Sequence, residues 1–170
     1  MRDAILILMR HAKSSWDRPG LSDFDRPLNG RGEQDATRMG EWLSGAAWQP
    51  ARILSSPALR TRQTIERVCK GLAKPPAAEF DRELYLADLE TLLDRAAEAR
   101  EAGTLMLVGH NPGLEHLVLH LVPHLEREVA AEKVMPTGAI YVLRVAFAGH
   151  RLKAGGGKLL AHQRPKALEG

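Results

Sequence analysis

The chain has 170 residues, 44% of them hydrophobic and 26% charged, and this length and composition are typical of one globular domain. Its single cysteine, Cys69, excludes an intramolecular disulfide framework and a cysteine-based zinc site. Lysines and arginines exceed aspartates and glutamates by 24 to 21, and the charges are interspersed along the chain, as on a solvated surface.

The sequence also bears on location and partners. Its apolar runs are far shorter than the roughly 20 residues of a membrane helix, and its start lacks the pattern of a secretory leader. The basic residues between Arg151 and Lys166 have no interleaved aromatic side chains on which bases could stack. We therefore expect a cytoplasmic protein, a single domain over residues 1–170, and no membrane or nucleic-acid partner.

The first half of the chain predicts two strands and two helices around one long loop. An apolar run over 4–9 is typical of a buried strand. Residues 12–28 show no period and contain prolines and a glycine, so we expect a loop, whose length favours a binding role. Apolar residues at helical spacing predict helices over 30–47 and 57–73, with a short apolar strand at 51–54 between them.

The second half continues the alternation of helices and strands. Helical spacing predicts helices over 88–101 and 113–125, on either side of an apolar strand at 104–108. Two further strands, 139–147 and 158–162, flank a glycine-rich turn and are expected to form a hairpin. We therefore predict an α/β fold: a single three-layer α/β/α domain, with a mostly parallel central sheet and a C-terminal hairpin at the sheet edge.

Two of the helices have marked starting points. Ser56-Pro57 and Asn111-Pro112 each combine a residue typical of the N-cap with a proline typical of the first helical position. Both pairs closely follow a predicted strand. We therefore expect helix N-termini, with their free N–H groups, at the ends of these strands.

Polar side chains suited to phosphate follow the three buried strands. Ligands of an open α/β sheet bind at the carboxyl ends of its strands. The first strand leads into Arg10 and His11, and the third into His110 and Asn111. Arg60 lies in the first turn of the helix after the second strand, where its side chain can lean back over the strand ends. Because guanidinium groups match phosphate geometry, we expect these residues to converge on a phosphate.

The two histidines extend this site from binding to catalysis. A neutral imidazole can attack phosphorus, and a second imidazole, if protonated, can neutralise charge on the transferred group. Neither a Walker-type glycine loop nor a paired acidic motif for Mg²⁺ is present, so we expect no metal and no cofactor. The alternative for His11 is a buried histidine satisfied by the backbone. His116, His120 and His124 have a spacing that could bind a metal, but they lie opposite the core face of their helix, which favours a solvated stripe.

Four motifs occur in order along the chain. They are Leu8–Ser14 (Leu-Met-Arg-His-Ala-Lys-Ser), Leu28–Ala36, Ser55–Thr64 and Val108–Pro112. The first resembles the Arg-His-Gly signature of the histidine phosphatase superfamily, which includes the phosphoglycerate mutases. The others resemble the family's Leu-Thr-x-x-Gly-x-x-Gln-Ala helix opening, its serine-rich second motif and its histidine-containing third motif.

This resemblance implies a role for each matched residue. His11 would be the nucleophile that is transiently phosphorylated. Arg10, Arg60 and His110 would hold the phosphoryl group and stabilise its charge in the transition state. Ser14 stands at the place of a phosphate-binding polar residue in the loop after the nucleophile.

The chain also departs from the family pattern. Ala12 replaces the usual glycine, and Asp17 stands where many relatives have an asparagine. An anionic side chain is a poor phosphate donor, so no binding role is carried over to Asp17. The glutamate general acid of many relatives falls, by register, on Leu86. Glu83 and Asp88 lie nearby and are the candidate acids.

The missing glutamate bears on the substrate. An alkoxide leaving group needs a proton donor, whereas a protonated imidazole leaves without one, so a P–N bond is favoured over a P–O bond. The stretch between the second and third motifs is too short for the capping insertion of larger relatives, and an uncapped site can accept a phosphorylated group on another protein. Together with the segments 10–16 and 23–28, these features most resemble the SixA-type phosphohistidine phosphatases.

We therefore expect a metal-independent phosphatase that acts through a phosphohistidine intermediate on His11. Its expected substrate is phosphohistidine on a partner protein. One alternative is a small phosphomonoesterase acting on a phosphorylated metabolite, with Glu83 or Asp88 as its acid. A second alternative is a non-catalytic phosphate-binding module that uses the same pocket.

Overall fold

The computed structural model describes residues 4–125 and 133–169, which form a six-stranded sheet, a separate two-stranded hairpin and the surrounding helices. The strands are β1 (Ala4–Arg10), β2 (Arg52–Ser55), β3 (Ala78–Phe80), β4 (Thr104–Gly109), β5 (Ile140–Val145), β6 (Phe147–Ala148), β7 (Arg151–Leu152) and β8 (Lys158–Gln163). The helices are α1 (Gly30–Gly45), α2 (Leu59–Gly71), α3 (Leu89–Ala96), α4 (Ala99–Ala102) and α5 (Gly113–Leu121), with 3-10 turns at Asp23–Asp25, Arg82–Leu84 and Pro165–Leu168. None of the helices in these two ranges is both long and apolar enough to cross a membrane.

The large sheet brings the ends of three strands together. Its order is β3-β2-β4-β1-β5-β8, and β1 to β4 run parallel, whereas β5 runs antiparallel to both β1 and β8. Arg10 pairs with Gly109, and Ser55 pairs with Val108. The residues that follow β1, β2 and β4 therefore meet at one edge of the sheet.

Helices cover both faces of the sheet, which accounts for the unbroken apolar runs. Leu6 and Leu8 of β1 belong to a buried core with α3 and α5. Ile7 and Met9 belong to a second core with α1 and α2. Because successive side chains of a strand point to opposite faces, a strand buried on both sides must be apolar throughout. The predicted three-layer α/β/α domain, with β5 and β8 as the antiparallel C-terminal pair at its edge, is confirmed.

Some predicted elements differ from the observed ones. The expected helix over 88–101 is two helices, because the N–H groups of Glu98 and Arg100 bond to carbonyls three residues back and interrupt the α-helical ladder between α3 and α4. Strand β3 and the β6–β7 hairpin were not predicted. They have only three and two residues per strand, too few to show a period of two.

The predicted N-cap roles of Ser56 and Asn111 are wrong. Helix α5 begins at Gly113, as expected, but α2 begins at Leu59, two residues later than expected, and neither helix has a side-chain cap. The Ser56 hydroxyl accepts a bond from the His110 ring, and the Asn111 amide donates to the Met135 carbonyl at 2.8 Å. Ser56 also accepts a local bond from the Ala58 N–H at 3.3 Å, just before α2, but neither side chain caps its own helix.

The start of α1 fixes the loop that follows β1. The Asn29 side chain caps this helix by accepting a bond from the Gly32 N–H at 2.8 Å, and the Asn29 N–H donates to the Lys13 carbonyl at 3.0 Å. A Cβ at Gly32 would lie 2.1 Å from that carbonyl oxygen, so only glycine allows the helix this close to the loop. The backbone after His11 is therefore held against the N-terminus of α1.

Candidate active site

His11 is buried at the end of β1, with one ring nitrogen free for chemistry. Its Nδ1 lies 2.7 Å from the Ala12 carbonyl oxygen. A carbonyl can only accept a hydrogen bond, so Nδ1 carries the proton and Nε2 keeps its lone pair. Burial lowers the pKa of His11 to about 3, and the positive charges of Arg60 and Arg10 act in the same direction. The imidazole is therefore a neutral, oriented nucleophile at physiological pH.

His110, at the end of β4, is held in the complementary tautomer. Its Nδ1 lies 3.2 Å from an Arg60 nitrogen, and its Nε2 lies 2.7 Å from the Ser56 hydroxyl. Arginine can only donate, so Nδ1 accepts from Arg60 and Nε2 donates its proton to Ser56. Burial, followed by the charge of Arg60, lowers the pKa of His110 to about 4. The structure thus holds this ring as a neutral N–H donor, in contrast to the protonated form considered from the sequence.

The two histidine rings and two arginines form one cluster. The ring centroids of His11 and His110 are 5.4 Å apart. The Arg60 side chain is only 3% exposed, and the Arg10 guanidinium donates to the Met135 carbonyl at 3.3 Å. Within the described ranges, Nε of both arginines is buried without a hydrogen-bond partner. Unpaired buried donors are costly, and two of them in one cluster indicate a site built for an anion.

Thr64 ties the second motif to the backbone beside the nucleophile. Its hydroxyl accepts a bond from the Ala12 N–H at 3.0 Å and donates to the Arg60 carbonyl at 2.7 Å. Ala12, which stands in place of the family's glycine, is fully buried and makes this bond through its N–H. The hydroxyl of Thr64 therefore positions both His11 and the start of α2.

Side chains of the loop over 12–28 line one side of the active site. Arg26 is buried and donates to the Ser14 hydroxyl at 2.7 Å and to the Ser15 carbonyl at 3.2 Å. Its guanidinium carbon lies 3.6 Å from the ring centroid of Trp16. Trp16 is 76% exposed, so it lines the mouth of the site instead of anchoring the loop. Anchoring falls to Phe24, whose ring packs 5.0 Å from that of Tyr85.

These residues enclose one open pocket with a volume of about 380 Å³. Six side chains expected at the site from the sequence line it, namely Arg10, His11, Ser14, Arg60, His110 and Asn111. The other lining residues are Lys13, Trp16, Asp23, Arg26, Leu86 and Thr137. Across residues 4–125 and 133–169, no group of three or more histidine, cysteine, aspartate or glutamate side chains is arranged to hold a metal ion.

Comparison with known proteins identifies the family. Residues 6–85 match the family model of the histidine phosphatase superfamily, branch 1. The phosphohistidine phosphatase SixA of Escherichia coli strain K12 is 31% identical over 121 residues, which cover 69% of this chain and 74% of that protein. The chain belongs to the histidine phosphatase superfamily. Together with its likeness to SixA, this membership supports a phosphatase.

Other proteins are similar to this histidine phosphatase over larger or smaller parts of the chain. An uncharacterised chloroplastic protein of Arabidopsis thaliana is 54% identical over 120 residues, which cover 65% of this chain but only 55% of that relative's length. The SixA structure from Agrobacterium tumefaciens has a TM-score of 0.83 and 30% identity, and the match covers 95% of this chain and 98% of that one. A SixA structure complexed with tungstate has a TM-score of 0.79 and 26% identity, with 97% and 99% covered.

The carboxylates suggested as acids lie away from the pocket of this histidine phosphatase. Glu83 is exposed and bonds to Arg95 at 3.1 Å. Asp88 caps α3 by accepting a bond from the Thr91 N–H at 3.0 Å, which lowers its pKa. Neither residue lines the pocket, whereas Leu86 does, with 56% of its surface exposed.

The sequence analysis gave no role to three of the pocket residues, Lys13, Asp23 and Thr137, and Asp23 has the most contacts with the site. Asp23 is the only acidic residue among those that line the described pocket, and its carboxylate contacts Arg60, Arg26 and Tyr85. Burial alone would raise the pKa of Asp23, but hydrogen bonds from Tyr85 and Arg60 outweigh it and lower the pKa to about 2. In the sequence, Asp23 could be recognised only as part of the loop over 12–28, which was expected to bind a ligand. No periodicity distinguishes it from the other residues of that loop.

Proposed function

We propose that the protein removes phosphate from phosphohistidine on a partner protein. His11 Nε2 attacks phosphorus, the P–N bond of the substrate breaks, and its electron pair stays on the departing imidazole. Arg10, Arg60 and the N–H groups of the site stabilise the charge on the transferred phosphoryl group. Water then hydrolyses the phosphohistidine formed at His11 and releases phosphate.

The absence of a usable proton donor beside the leaving group carries this proposal. Among the described residues that line the pocket, the only carboxylic acid is Asp23, whose pKa of about 2 leaves it ionised. Leu86 stands where the family's acid is expected, and it cannot donate a proton. An alkoxide departing from a phosphomonoester would find no acid here, whereas a protonated imidazole departs as a neutral ring.

The open mouth of the pocket supports a macromolecular substrate. Trp16 and Leu86 are 76% and 56% exposed at its rim, and Lys13 also lines it. A histidine side chain on a folded protein must approach such a site without an enclosing lid. The resemblance to proteins named as SixA phosphohistidine phosphatases, one of them complexed with the tetrahedral oxyanion tungstate, favours the same substrate class.

A direct comparison of substrates tests the proposal. We would measure kcat/KM for a histidine-phosphorylated phosphotransfer protein and for an alkyl phosphate monoester, both with excess chelator. A kcat/KM at least 100-fold higher on the phosphoprotein is expected, since a positioned acid contributes about 10²–10⁴-fold to reactions that need one. A preference for the monoester would contradict the proposal and favour metabolite dephosphorylation.

A further inference from the structure

The carboxylate of Asp23 lies at the pocket, and the mechanism above does not use it. Its Oδ2 accepts a bond from Arg60 at 3.0 Å and another from the Tyr85 hydroxyl. Its Oδ1 accepts from two nitrogens of Arg26, at 3.2 and 3.3 Å. Yet 45% of the side chain remains exposed. These four bonds fix the direction of the carboxylate and occupy its acceptor positions, while its exposed side faces the pocket.

Asp23 lies close to the reacting centre and next to the segment that contains Leu86. The Arg60 nitrogen that bonds to its Oδ2 also lies 3.2 Å from His110 Nδ1, so one guanidinium joins the two side chains. Tyr85, which donates to Asp23, directly precedes Leu86. Leu86 is the position at which relatives are expected to hold the acid for the leaving group. The carboxylate thus faces the part of the pocket where a departing ring would lie.

We propose that Asp23 accepts an N–H hydrogen bond from the departing imidazole, and that this contact makes the enzyme selective for protonated nitrogen leaving groups. The inference rests on the proposed function and deepens it. Arg26 and Arg60 offer two positive charges to this one carboxylate. When the Arg60 nitrogen turns to the phosphoryl group, its bond to Asp23 Oδ2 breaks, and that acceptor position becomes free for the ring N–H.

The chemistry balances without a proton transfer. A phosphorylated imidazole that is protonated on its other nitrogen carries a positive ring, and the nearby carboxylate favours this form. As the bond from His11 Nε2 to phosphorus forms, the P–N bond breaks and its electron pair returns to the ring nitrogen. The ring leaves neutral and keeps the proton that it donates to Asp23. An alkoxide, in contrast, develops negative charge and is repelled by the carboxylate.

Two matched substitutions test this selectivity. Asp23→Asn removes the charge with little change of shape, and Asp25→Asn removes the same charge from the same 3-10 turn. Asp25 is exposed, bonds only to Ser22 among the hydrogen bonds described, and does not line the pocket. We would measure kcat/KM of each variant for the histidine-phosphorylated protein and for the alkyl phosphate, and compare the ratios.

Asp23→Asn is expected to lower the ratio about tenfold, because losing one opposite charge lowers the pKa of the bound ring by about one unit. The fall in kcat/KM should be larger for the phosphoprotein than for the monoester, whose negatively charged leaving group gains from the loss of the carboxylate. Asp25→Asn should keep the wild-type ratio. A parallel fall on both substrates would overturn the inference, since it would show that Asp23 only positions Arg60. An unchanged ratio would overturn it as well.

A third variant and the wild-type values separate the two proposals. Asp23→Glu keeps the charge and should retain a higher ratio than Asp23→Asn, so the comparison stands even if the amide variant folds poorly. If the wild-type enzyme prefers the monoester, the proposed function fails and this inference fails with it. If the wild type prefers the phosphoprotein and the charge at position 23 does not affect the ratio, only this inference fails.

Discussion

Replacing Leu86 by glutamate should create the acid that this phosphatase lacks. Leu86 lines the pocket and is 56% exposed, so a longer polar side chain fits without displacing the core. The backbone there has φ of 50°, and glutamate is no more strained in this conformation than leucine. The variant should gain hydrolysis of alkyl phosphates, whose poor leaving groups need a proton.

The size of the gain follows from the protonated fraction of the new side chain. A positioned acid contributes about 10²–10⁴-fold. With an ordinary pKa of about 4.3, about a tenth of the glutamate is protonated at about pH 5.3 and about a thousandth at about pH 7.3. Arg26 and Arg60 favour the ionised form and Asp23 opposes it. With two positive charges against one negative charge, the gain should lie near the lower limit, about tenfold at the lower pH. His11, with a pKa of about 3, stays neutral under both conditions.

The assay would follow phosphate release from an alkyl phosphate at both pH values, with folding checked by circular dichroism. Leu21→Glu is the matched control, because Leu21 is also exposed but lies outside the active-site pocket. We expect a gain at the lower pH for Leu86→Glu and none for Leu21→Glu. If folded Leu86→Glu showed no gain, the leaving group would not lie beside position 86, and the explanation of substrate preference would be refuted.

Three further predictions concern stability and positioning. The folded-state pKa values of His11 and His110, about 3 and 4, lie below the unfolded value of about 6.5. Stability should therefore fall as pH drops below 6.5, by about 2 kcal/mol per histidine at about pH 5. A urea midpoint that did not change with pH would contradict this. Thr64→Val leaves the buried N–H of Ala12 unpaired. The free energy of unfolding in urea should fall by about 1–3 kcal/mol, and kcat should fall as well. An unchanged kcat would contradict the positioning role of Thr64. Gly32→Ala forces a Cβ against the loop carbonyl and should lower Tm and kcat. Gly30 has open space around it, so Gly30→Ala should leave both values unchanged. Equal effects of the two substitutions would contradict the close approach of α1 to the loop.

The fold was predictable because its strands are buried on both faces. Continuous apolar runs ending in Arg10-His11 and in His110 identify both the parallel strands and the edge at which their ends meet. Arg60 could be placed there as well, since a residue in the first turn of a helix reaches back over the preceding strand. Hydrophobic periodicity and the rule that ligands bind at strand ends thus predicted which residues lie together, whereas their catalytic roles were taken from the motif resemblance.

The rest of the pocket depends on contacts that no local pattern records. Asp23 and Arg26 lie in a loop without periodicity, and their positions depend on bonds to Arg60, Tyr85 and Ser14. Leucine at position 86 indicates that the family's glutamate acid is missing. Only the structure shows that Glu83 and Asp88 do not replace it, because they bond to Arg95 and to the Thr91 N–H outside the pocket. These side-chain bonds join segments that are distant in the sequence. Local propensity and residue spacing therefore cannot predict them.

Direct detection of phosphate on His11 is the measurement that tests the account most directly. We would mix the enzyme with a labelled histidine-phosphorylated protein, quench within one turnover in alkali, where phosphohistidine survives, and map the label by peptide mass spectrometry. His11→Asn and His116→Asn, the latter an exposed histidine of α5, provide the matched pair. The account predicts acid-labile phosphate on the peptide containing His11, retained in His116→Asn and lost together with turnover in His11→Asn. Label on another residue, or full turnover by folded His11→Asn, would contradict it.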